Sequence, residues 1–229
     1  MNAQNKTKMK IRLFNIITFC YCCTLAPSCN HSHQSESLQD GDLLFQDLNC
    51  GELCNAIEAV TEGVNGKDFS HCAIVVKIND TLKVVEAIGD KVKVNSLKNF
   101  CERSGDTSTI KNVTIARVKH NYEPLITKAT AFAKQQIGQP YDNEFLLENG
   151  KWYCSELLYQ SFKEANNQTD FFELEPMTFK DPKTKTFFPA WVNYYKQLNT
   201  QIPEGKQGIN PGLISLSDKI QIIKLESFK

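Results

Sequence analysis

Three strand-like segments lie close together in the middle of the chain, and their spacing limits the fold class. Residues 71–78, 82–88 and 91–94 are rich in β-branched and other apolar side chains, and only short turns such as Gly89-Asp90 separate them. Connections this short join antiparallel neighbours, whereas parallel strands need a crossover of a dozen or more residues. The sequence therefore predicts an α+β fold with an antiparallel sheet flanked by helices, and not a doubly wound fold.

The other predicted elements surround this central group of strands. Apolar periodicity, turn residues and capping residues indicate each of them. The predicted strands are 43–46, 112–118 and 219–225, and the predicted helices are 50–61, 96–103, 123–137, 154–165 and 188–198. Residues 199–212 carry two prolines and three glycines, which is typical of a long loop. The sequence contains no internal repeat and no glycine-rich phosphate loop.

The first 28 residues have the pattern of an export signal. A positive start without acidic residues is formed by Lys6, Lys8, Lys10 and Arg12. The apolar stretch 13–25 has the length of a signal-peptide core and is too short to cross a bilayer. The segment 25–29, Leu-Ala-Pro-Ser-Cys, resembles a bacterial lipoprotein box. Residues 1–28 are therefore predicted to be removed, and Cys29 is predicted to be acylated.

This leader determines the expected organisation and location of the protein. Residues 29–39 are predicted to be a polar tether, and residues 40–229 a single domain. We expect a periplasmic or outer-membrane protein attached to the membrane through its N-terminal lipid. A plain cleaved signal and a retained anchor are the alternatives. Without residues 1–28 the chain loses four positive charges and has a net charge of −4. Proteins that bind nucleic acids are usually basic, so no nucleic-acid partner is expected.

Five cysteines follow Cys29, namely Cys50, Cys54, Cys72, Cys101 and Cys154. An odd number leaves at least one of them without an intramolecular partner. Cys50 and Cys54 have i,i+4 spacing in a predicted helix and are interpreted as small buried side chains. Because no nearby histidine or second Cys-x-x-Cys completes a ligand set, no metal site is predicted there, and no cofactor is expected.

His71 and Glu86 become informative through the predicted hairpin between their strands. Taken alone, His71 could be satisfied at a strand end, and Glu86 could face water on an edge strand. If Asn79-Asp80 forms a two-residue turn, Glu86 lies opposite Ala73 and diagonal to His71, within reach of long side chains. A three-residue turn would move Glu86 to the other face. In the first register Glu86 can orient the imidazole, as the third member of a catalytic triad does.

Cys154 begins a predicted helix, a position that favours a reactive thiol. The helix dipole and free N–H groups favour the thiolate, and the same N–H groups can stabilise an oxyanion. A nearby imidazolium would lower the thiol pKa further. The alternative is a buried cysteine in an aromatic pocket. Cys72 is a weaker candidate nucleophile because it follows His71 in a strand and points to the opposite sheet face.

Together these pieces resemble a known family. NlpC-type papain-like peptidases carry the same motifs in a different order along the chain. In this sequence the order is Gly41-Asp42-Leu43-Leu44-Phe45, Phe69-Ser70-His71, Glu86, and finally Cys154-Ser155-Glu156-Leu157. That order is similar to the circularly permuted branch, the YiiX/YaeF-like permuted papain-fold amidases. Residues 138–142, Gly-Gln-Pro-Tyr-Asp, also match a Gly-x-x-Tyr-Asp stretch of this family, and the likeness spans about residues 40–165.

The resemblance implies a circularly permuted papain-like fold and assigns roles to the candidate residues. Cys154 would be the nucleophile, His71 the general base and acid, and Glu86 the residue that orients the imidazole. The residues implied to support the substrate or the oxyanion are Tyr141, Asp142 and Tyr153. The implied activity is that of an exported cysteine hydrolase that cleaves an amide in a cell-wall peptide or an N-acylated small molecule through an acyl-enzyme.

Two other functions stay open at this point. An acyltransferase or lipid esterase would use the same triad, and aromatic side chains in the C-terminal part could line its acyl-chain pocket. These are Phe171, Phe172, Phe179, Phe187, Phe188, Trp191, Tyr194 and Tyr195, which ordinary core packing would explain equally well. A substrate-binding lipoprotein without turnover is the other alternative. A thiol-redox role is disfavoured because the chain has no Cys-x-x-Cys after the predicted signal segment 1–28.

Overall fold

A six-stranded antiparallel sheet forms the centre of the fold. The computed structural model describes residues 37–104 and 112–225, so the predictions for residues 1–28 and Cys29 lie outside the described residues. The sheet has the order β4-β3-β2-β1-β5-β8 and consists of β1 (Leu43–Gln46), β2 (His71–Ile78), β3 (Thr81–Ile88), β4 (Lys91–Asn95), β5 (Val113–Val118) and β8 (Ile220–Ile223). Every neighbouring pair in it is antiparallel, which confirms the predicted α+β class.

Helices and a small second ribbon surround this sheet. The helices are α1 (Glu52–Glu58), α2 (Leu97–Glu102), α3 (Ile126–Gln135), α4 (Cys154–Ala165), α5 (Pro189–Leu198) and α6 (Pro211–Ser215). Two 3₁₀ turns cover Val64–Gly66 and His120–Leu125. The ribbon pairs β6 (Glu175–Pro176) with β7 (Gln207–Gly208). In the described ranges no helix has the length and apolar character that a bilayer crossing requires.

The prediction of 199–212 as one long loop is wrong in its second half. Strand β7 and the start of α6 lie there. The Asn210 side chain accepts a hydrogen bond from the Leu213 N–H at 2.8 Å, and Pro211 occupies the first helical turn. An N-cap asparagine followed by proline is a helix-start signal that the high proline and glycine content of the segment obscures.

The hairpin between β2 and β3 has the predicted register. Ile78 pairs with Thr81 and Ile74 pairs with Val85, so Asn79-Asp80 is a two-residue turn. Both turn residues have positive φ, 47° and 58°. Type I′ turns need positive φ at both positions, and asparagine and aspartate tolerate that conformation better than other residues with side chains.

Helix α4 packs on one face of the sheet and fixes the position of its own N-terminus. Leu157, Leu158 and Phe162 are fully buried in the same core cluster as Cys72 and Ile74 of β2. Burial of each such side chain contributes roughly 1.5–3 kcal/mol. The other face of the sheet is covered by Phe100 of α2 and neighbouring apolar side chains. The first residue of α4 is thereby held close to the first residues of β2.

The interpretation of Cys50 and Cys54 as free buried side chains is wrong, because the two form a disulfide with a Cα–Cα distance of 5.3 Å. Gly51 has φ 83°, and α1 begins after it at Glu52. Cys50 therefore precedes the helix instead of sharing its face with Cys54. The remaining described cysteines, Cys72, Cys101 and Cys154, are free and buried.

Candidate active site

Cys154 occupies the first position of α4. Tyr153 precedes it in an extended conformation and makes no side-chain cap. The first N–H groups of a helix have no intrahelical partner, and the helix dipole makes this end electropositive. The Cys154 sulfur is therefore placed where a thiolate and, later, a substrate oxyanion are both stabilised.

The hydrogen-bond partners of Cys154 favour its thiolate. The Cys72 thiol is the strongest of these partners. Burial raises the pKa of Cys154, whereas the Cys72 thiol, the His71 imidazole and the Cys72 backbone N–H lower it. These contacts hold the pKa of Cys154 well below its ordinary range. Burial lowers the pKa of His71, but its hydrogen bonds to Cys154 and Glu86 outweigh this effect and raise the value to about 9. Both shifts favour a thiolate–imidazolium pair between these two side chains.

Glu86 lies on the other side of the imidazole. His71 Nε2 donates to Glu86 Oε2 at 2.6 Å, which leaves Nδ1 for the thiol. Asn95 Nδ2 donates to Oε1 at 2.7 Å, and Arg103 Nη2 contacts Oε1 and Oε2 at 2.6 and 2.5 Å. Burial raises the pKa of Glu86, yet the contacts with His71, Arg103 and Asn95 bring it below its ordinary value. Glu86 is therefore an ionised acceptor at neutral pH.

Cys72 lies closer to the site than its place in the strand suggested. It does lie on the sheet face opposite His71, in one cluster with Ile74. That face, however, is the one on which α4 packs, so Cys72 contacts Cys154. Burial, helped by the hydrogen bond to Cys154, raises the pKa of the Cys72 thiol well above its ordinary value. Cys72 is accordingly a thiol donor to the neighbouring sulfur.

The three predicted supporting residues have different positions. Tyr141 lies beside Cys154 and lines the cavity next to it. Asp142 is buried and accepts the N–H groups of Glu144 at 2.9 Å and Leu146 at 2.6 Å, so it anchors the loop after Tyr141. The Tyr153 hydroxyl accepts the Ile209 N–H at 3.3 Å. Asp142 and Tyr153 thus hold the walls of the site.

A largely apolar cavity of about 170 Å³ adjoins Cys154. An apolar cavity of roughly 150 Å³ is large enough for a benzene ring, so this one admits a group of that size. Several separate segments of the chain provide its walls, through residues that include Ile57, Tyr141, Phe145, Met177, Trp191 and Ile209.

Two of the predicted pocket aromatics, Phe179 and Trp191, line this cavity. Phe171 and Phe172 pack against Phe162 in the core instead. Tyr194 and Tyr195 donate their hydroxyls to the backbone oxygens of residues 143 and 144, at 2.9 and 3.1 Å. For these four residues, a role in packing and loop anchoring is thus the better interpretation.

Sequence reasoning missed three polar side chains around the site. Asn95 and Arg103 bind Glu86, and nothing in their local sequence marks them, because only the folded sheet and α2 bring them there. Glu156 is fully buried two residues after Cys154. The Glu148 N–H donates to its Oε1 at 3.2 Å, and burial raises its pKa to about 8. The motif Cys-Ser-Glu-Leu contains Glu156, but its sequence position gave no sign of this burial.

The permuted order of the site, the antiparallel sheet and the helix-borne cysteine define a permuted papain-like enzyme of the cysteine amidase/peptidase type. A family model described as "Permuted papain-like amidase enzyme, YaeF/YiiX, C92 family" matches residues 37–224. The chain belongs to this family.

Two individual proteins are similar to this chain. The uncharacterized protein YiiX of Escherichia coli strain K12 is 28% identical over 128 residues, which are 56% of this chain and 58% of that protein. The chain therefore matches somewhat more than half of that relative's length. The crystal structure of the metalloprotein YiiX from Escherichia coli O157:H7 superposes with a TM-score of 0.67 at 22% identity, covering 84% of this chain and 99% of that one. At this identity the superposition supports the fold alone.

Proposed function

We propose that this protein hydrolyses amide bonds with Cys154 as nucleophile, His71 as general base and acid, and Glu86 as the residue that orients the imidazole. The observation that carries the proposal is the position of His71, which hydrogen-bonds to Glu86 at 2.6 Å and also to the Cys154 thiol. A histidine bound on one side by a buried carboxylate and on the other by a thiol at a helix N-terminus is arranged for thiolate catalysis.

The first half of the reaction follows from this arrangement. The Cys154 thiolate attacks the amide carbonyl carbon, and the carbonyl π-electrons move to oxygen. In this proposal the free N–H groups at the start of α4 and the Tyr141 hydroxyl stabilise this oxyanion; burial raises the pKa of Tyr141 well above its ordinary value, so the hydroxyl keeps its proton. The imidazolium of His71 then protonates the amine as the C–N bond breaks, which leaves an acyl-enzyme.

The second half regenerates the thiolate. Neutral His71 removes a proton from water while the water oxygen attacks the thioester carbon. Collapse of the second tetrahedral intermediate breaks the C–S bond, releases the carboxylic acid and restores the thiolate–imidazolium pair. Glu86 stays ionised throughout and stabilises His71 whenever it carries the positive charge.

The cavity is compatible with two classes of substrate. An amide in a cell-wall peptide or an N-acylated small molecule is the first, with its acyl-side group in the cavity beside Cys154. The apolar character of that cavity, with Phe179 and Trp191 in its walls, also favours acyl transfer or lipid-ester cleavage by the same residues. The enzymatic class of the family argues against the alternative of a binding lipoprotein without turnover.

We also propose that the protein is exported and anchored by a lipid on Cys29, because the leader pattern supports this reading. In cells fed labelled palmitate, the protein is expected to carry label that disappears in Cys29→Ala. Label that persists in this variant would contradict acylation at Cys29.

One relative in solved structures is called a metalloprotein. Within residues 37–104 and 112–225, no three His, Cys, Asp or Glu side chains are arranged to hold a metal ion. The donor set of this chain does not fit a metal site in that part, and no step of the proposed reaction uses one.

The direct test is labelling of the purified protein with iodoacetamide across pH, with mass-spectrometric assignment of the labelled residue. Cys154 is expected to react rapidly well below the free-thiol pKa of about 8.5, and His71→Ala should remove this reactivity. Cys154→Ala should abolish turnover in a folded protein, whereas Cys72→Ala, which removes the strongest donor to the Cys154 sulfur, should keep turnover but move the labelling of Cys154 to higher pH. Cys101→Ala, which removes another buried free thiol, is the matched control. Slow labelling shared among several cysteines would contradict the proposal.

A further inference from the structure

We propose that Arg103 is a positioning residue of this active site. Arg103 holds the Glu86 carboxylate in place and, together with His71, interacts with the negative charge of this carboxylate. The positive charge of Arg103, at the end of α2, therefore sets the pH range in which the thiolate–imidazolium pair of Cys154 and His71 exists. This inference rests on the proposed function, because it acts through Glu86 and His71.

The contacts of Glu86 make Arg103 its main partner besides His71. The Glu86 side chain is 0% exposed, and Arg103 Nη2 bridges its two oxygens at 2.6 and 2.5 Å. A buried carboxylate is costly unless it is paired and hydrogen-bonded. Asn95 adds a neutral donor at 2.7 Å, so within the described residues Arg103 and His71 are the groups seen to offset the charge.

Helix α2 delivers Arg103 to this place in a defined geometry. Ser96 caps the helix by accepting the Asn99 N–H at 3.1 Å. Arg103 Nη1 donates back to the Asn99 carbonyl oxygen at 3.3 Å, and the guanidinium lies 5.2 Å from the centroid of the Phe100 ring. The Phe100 ring is in turn 5.9 Å from the imidazole of His71. The same short helix therefore contacts both the acid and the histidine of the site.

The consequence is electrostatic as well as geometric. Arg103 brings a second positive charge next to the Glu86 carboxylate, which would otherwise interact with the charge of His71 alone. This charge favours the Cys154 thiolate and disfavours the His71 imidazolium, so its removal should raise the pKa of both groups. The ionisable groups that face the pair from the surrounding elements are Cys72 on β2, Glu86 on β3, Lys93 on β4, Arg103 after α2 and Tyr141 before α4. Lys93 lies opposite Glu86, but its ammonium pairs with Asp90 at 2.8 Å.

The test measures the rate of Cys154 alkylation by iodoacetamide against pH in the full chain. The lower inflection of this curve reports thiolate formation, and the upper one reports loss of the imidazolium proton. We expect Arg103→Gln to move both inflections to higher pH by about half to one unit, since Arg103 is 28% exposed and its charge is partly screened. Lys98→Gln removes an exposed charge from the same helix and should leave both inflections in place.

Arg103→Lys separates charge from geometry. It keeps the positive charge but replaces the guanidinium, whose Nη1 is held by the Asn99 carbonyl oxygen while Nη2 contacts both Glu86 oxygens, with a single ammonium nitrogen. Both inflections should stay at their wild-type pH, while the plateau rate constant falls severalfold. Unshifted curves in Arg103→Gln, equal shifts in Lys98→Gln, or a wild-type plateau in Arg103→Lys would each overturn the proposal. If His71→Ala alkylates like wild type, the proposed function itself fails, and this outcome is distinct from the other three.

Discussion

Two glutamates in this protein are equally buried, yet one carboxyl is ionised and the other is protonated near neutral pH. Glu86 on β3 and Glu156 on α4 are both 0% exposed. Glu86 accepts hydrogen bonds from His71, Asn95 and Arg103, and its pKa is lowered despite burial. Glu156 accepts the Glu148 N–H at 3.2 Å, its Oε2 has no partner in the described part of the chain, and burial raises its pKa to about 8. Donors, not depth, decide which carboxyl is ionised.

The difference separates two tasks in one site. In the proposed mechanism, the ionised Glu86 supports a histidine that gains and loses a proton. The neutral Glu156 holds the loop before the nucleophile through Glu148, while Asp142 holds the same loop through Glu144 and Leu146. Glu86 therefore takes part in the proposed proton transfer, and Glu156 maintains the conformation of the loop beside the site.

The largest expected effect is on turnover in Glu86→Gln. The amide keeps the size of the side chain but loses the charge that orients and stabilises the imidazolium. We expect kcat/KM to fall by about 100-fold or more, judged by the effect of the equivalent change in other triads. Steady-state kinetics on an amide substrate would measure this. A loss below about threefold would remove Glu86 from the mechanism and with it the contrast between the two glutamates.

The next effect is on the pH dependence of stability. The folded pKa of Glu156 is about 8 and its unfolded value is near 4.5, so the folded state holds the proton more tightly between these values. The free energy of unfolding therefore loses this contribution as pH rises from about 4.5 to about 8, by a few kcal/mol at most. Denaturant unfolding of wild type and Glu156→Gln at a series of pH values isolates it. The two curves should diverge across this window, with the variant more stable at the high end; parallel curves would mean that Glu156 titrates normally.

A smaller loss is expected when the Glu156 side chain is truncated. Glu156→Ala leaves the Glu148 N–H without its acceptor and opens a small cavity behind the nucleophile. We expect the free energy of unfolding at about pH 4, where Glu156 is protonated in both states, to fall by about 1–3 kcal/mol. Chemical denaturation would measure this, with Glu164→Ala on the exposed side of α4 as the control. An unchanged stability would show that the hydrogen bond to Glu148 contributes nothing.

The smallest effect is expected for Glu156→Gln on stability at about pH 4, where the glutamate is protonated in both the folded and the unfolded state, and on turnover at neutral pH. A glutamine closely matches a protonated glutamate in shape and keeps an acceptor for Glu148. Stability should change by less than about 1 kcal/mol and kcat/KM by less than about threefold. A large loss of activity here would mean that Glu156 is ionised during turnover, and the two glutamates would no longer differ in role.

The features that the sequence could predict are those coded by local pattern. The hairpin register follows from Asn79-Asp80, two residues that tolerate positive φ and lie between two strand-like apolar runs. That register places Glu86 on the face of His71. The start of α4 at Cys154 was equally visible from the apolar spacing that follows it.

The features that could not be predicted depend on contacts between distant segments. Arg103 reaches Glu86 only because α2 folds back over β3. Cys72 contacts Cys154 because α4 selects the face of the sheet to which Cys72 points, and strand alternation alone does not say which face a helix will cover. The disulfide was missed because Gly51 breaks the predicted helix between Cys50 and Cys54.

The chain order of the site has a consequence for when the protein becomes reactive during its own synthesis. β2 and β3, with His71 and Glu86, emerge from the ribosome well before α4. Cys154 acquires its three donors only when α4 docks on β2, and such non-local contacts form late in folding. Until then its sulfur has the modest nucleophilicity of an ordinary thiol. In the proposed mechanism, docking of α4 on β2 is therefore the step that activates Cys154.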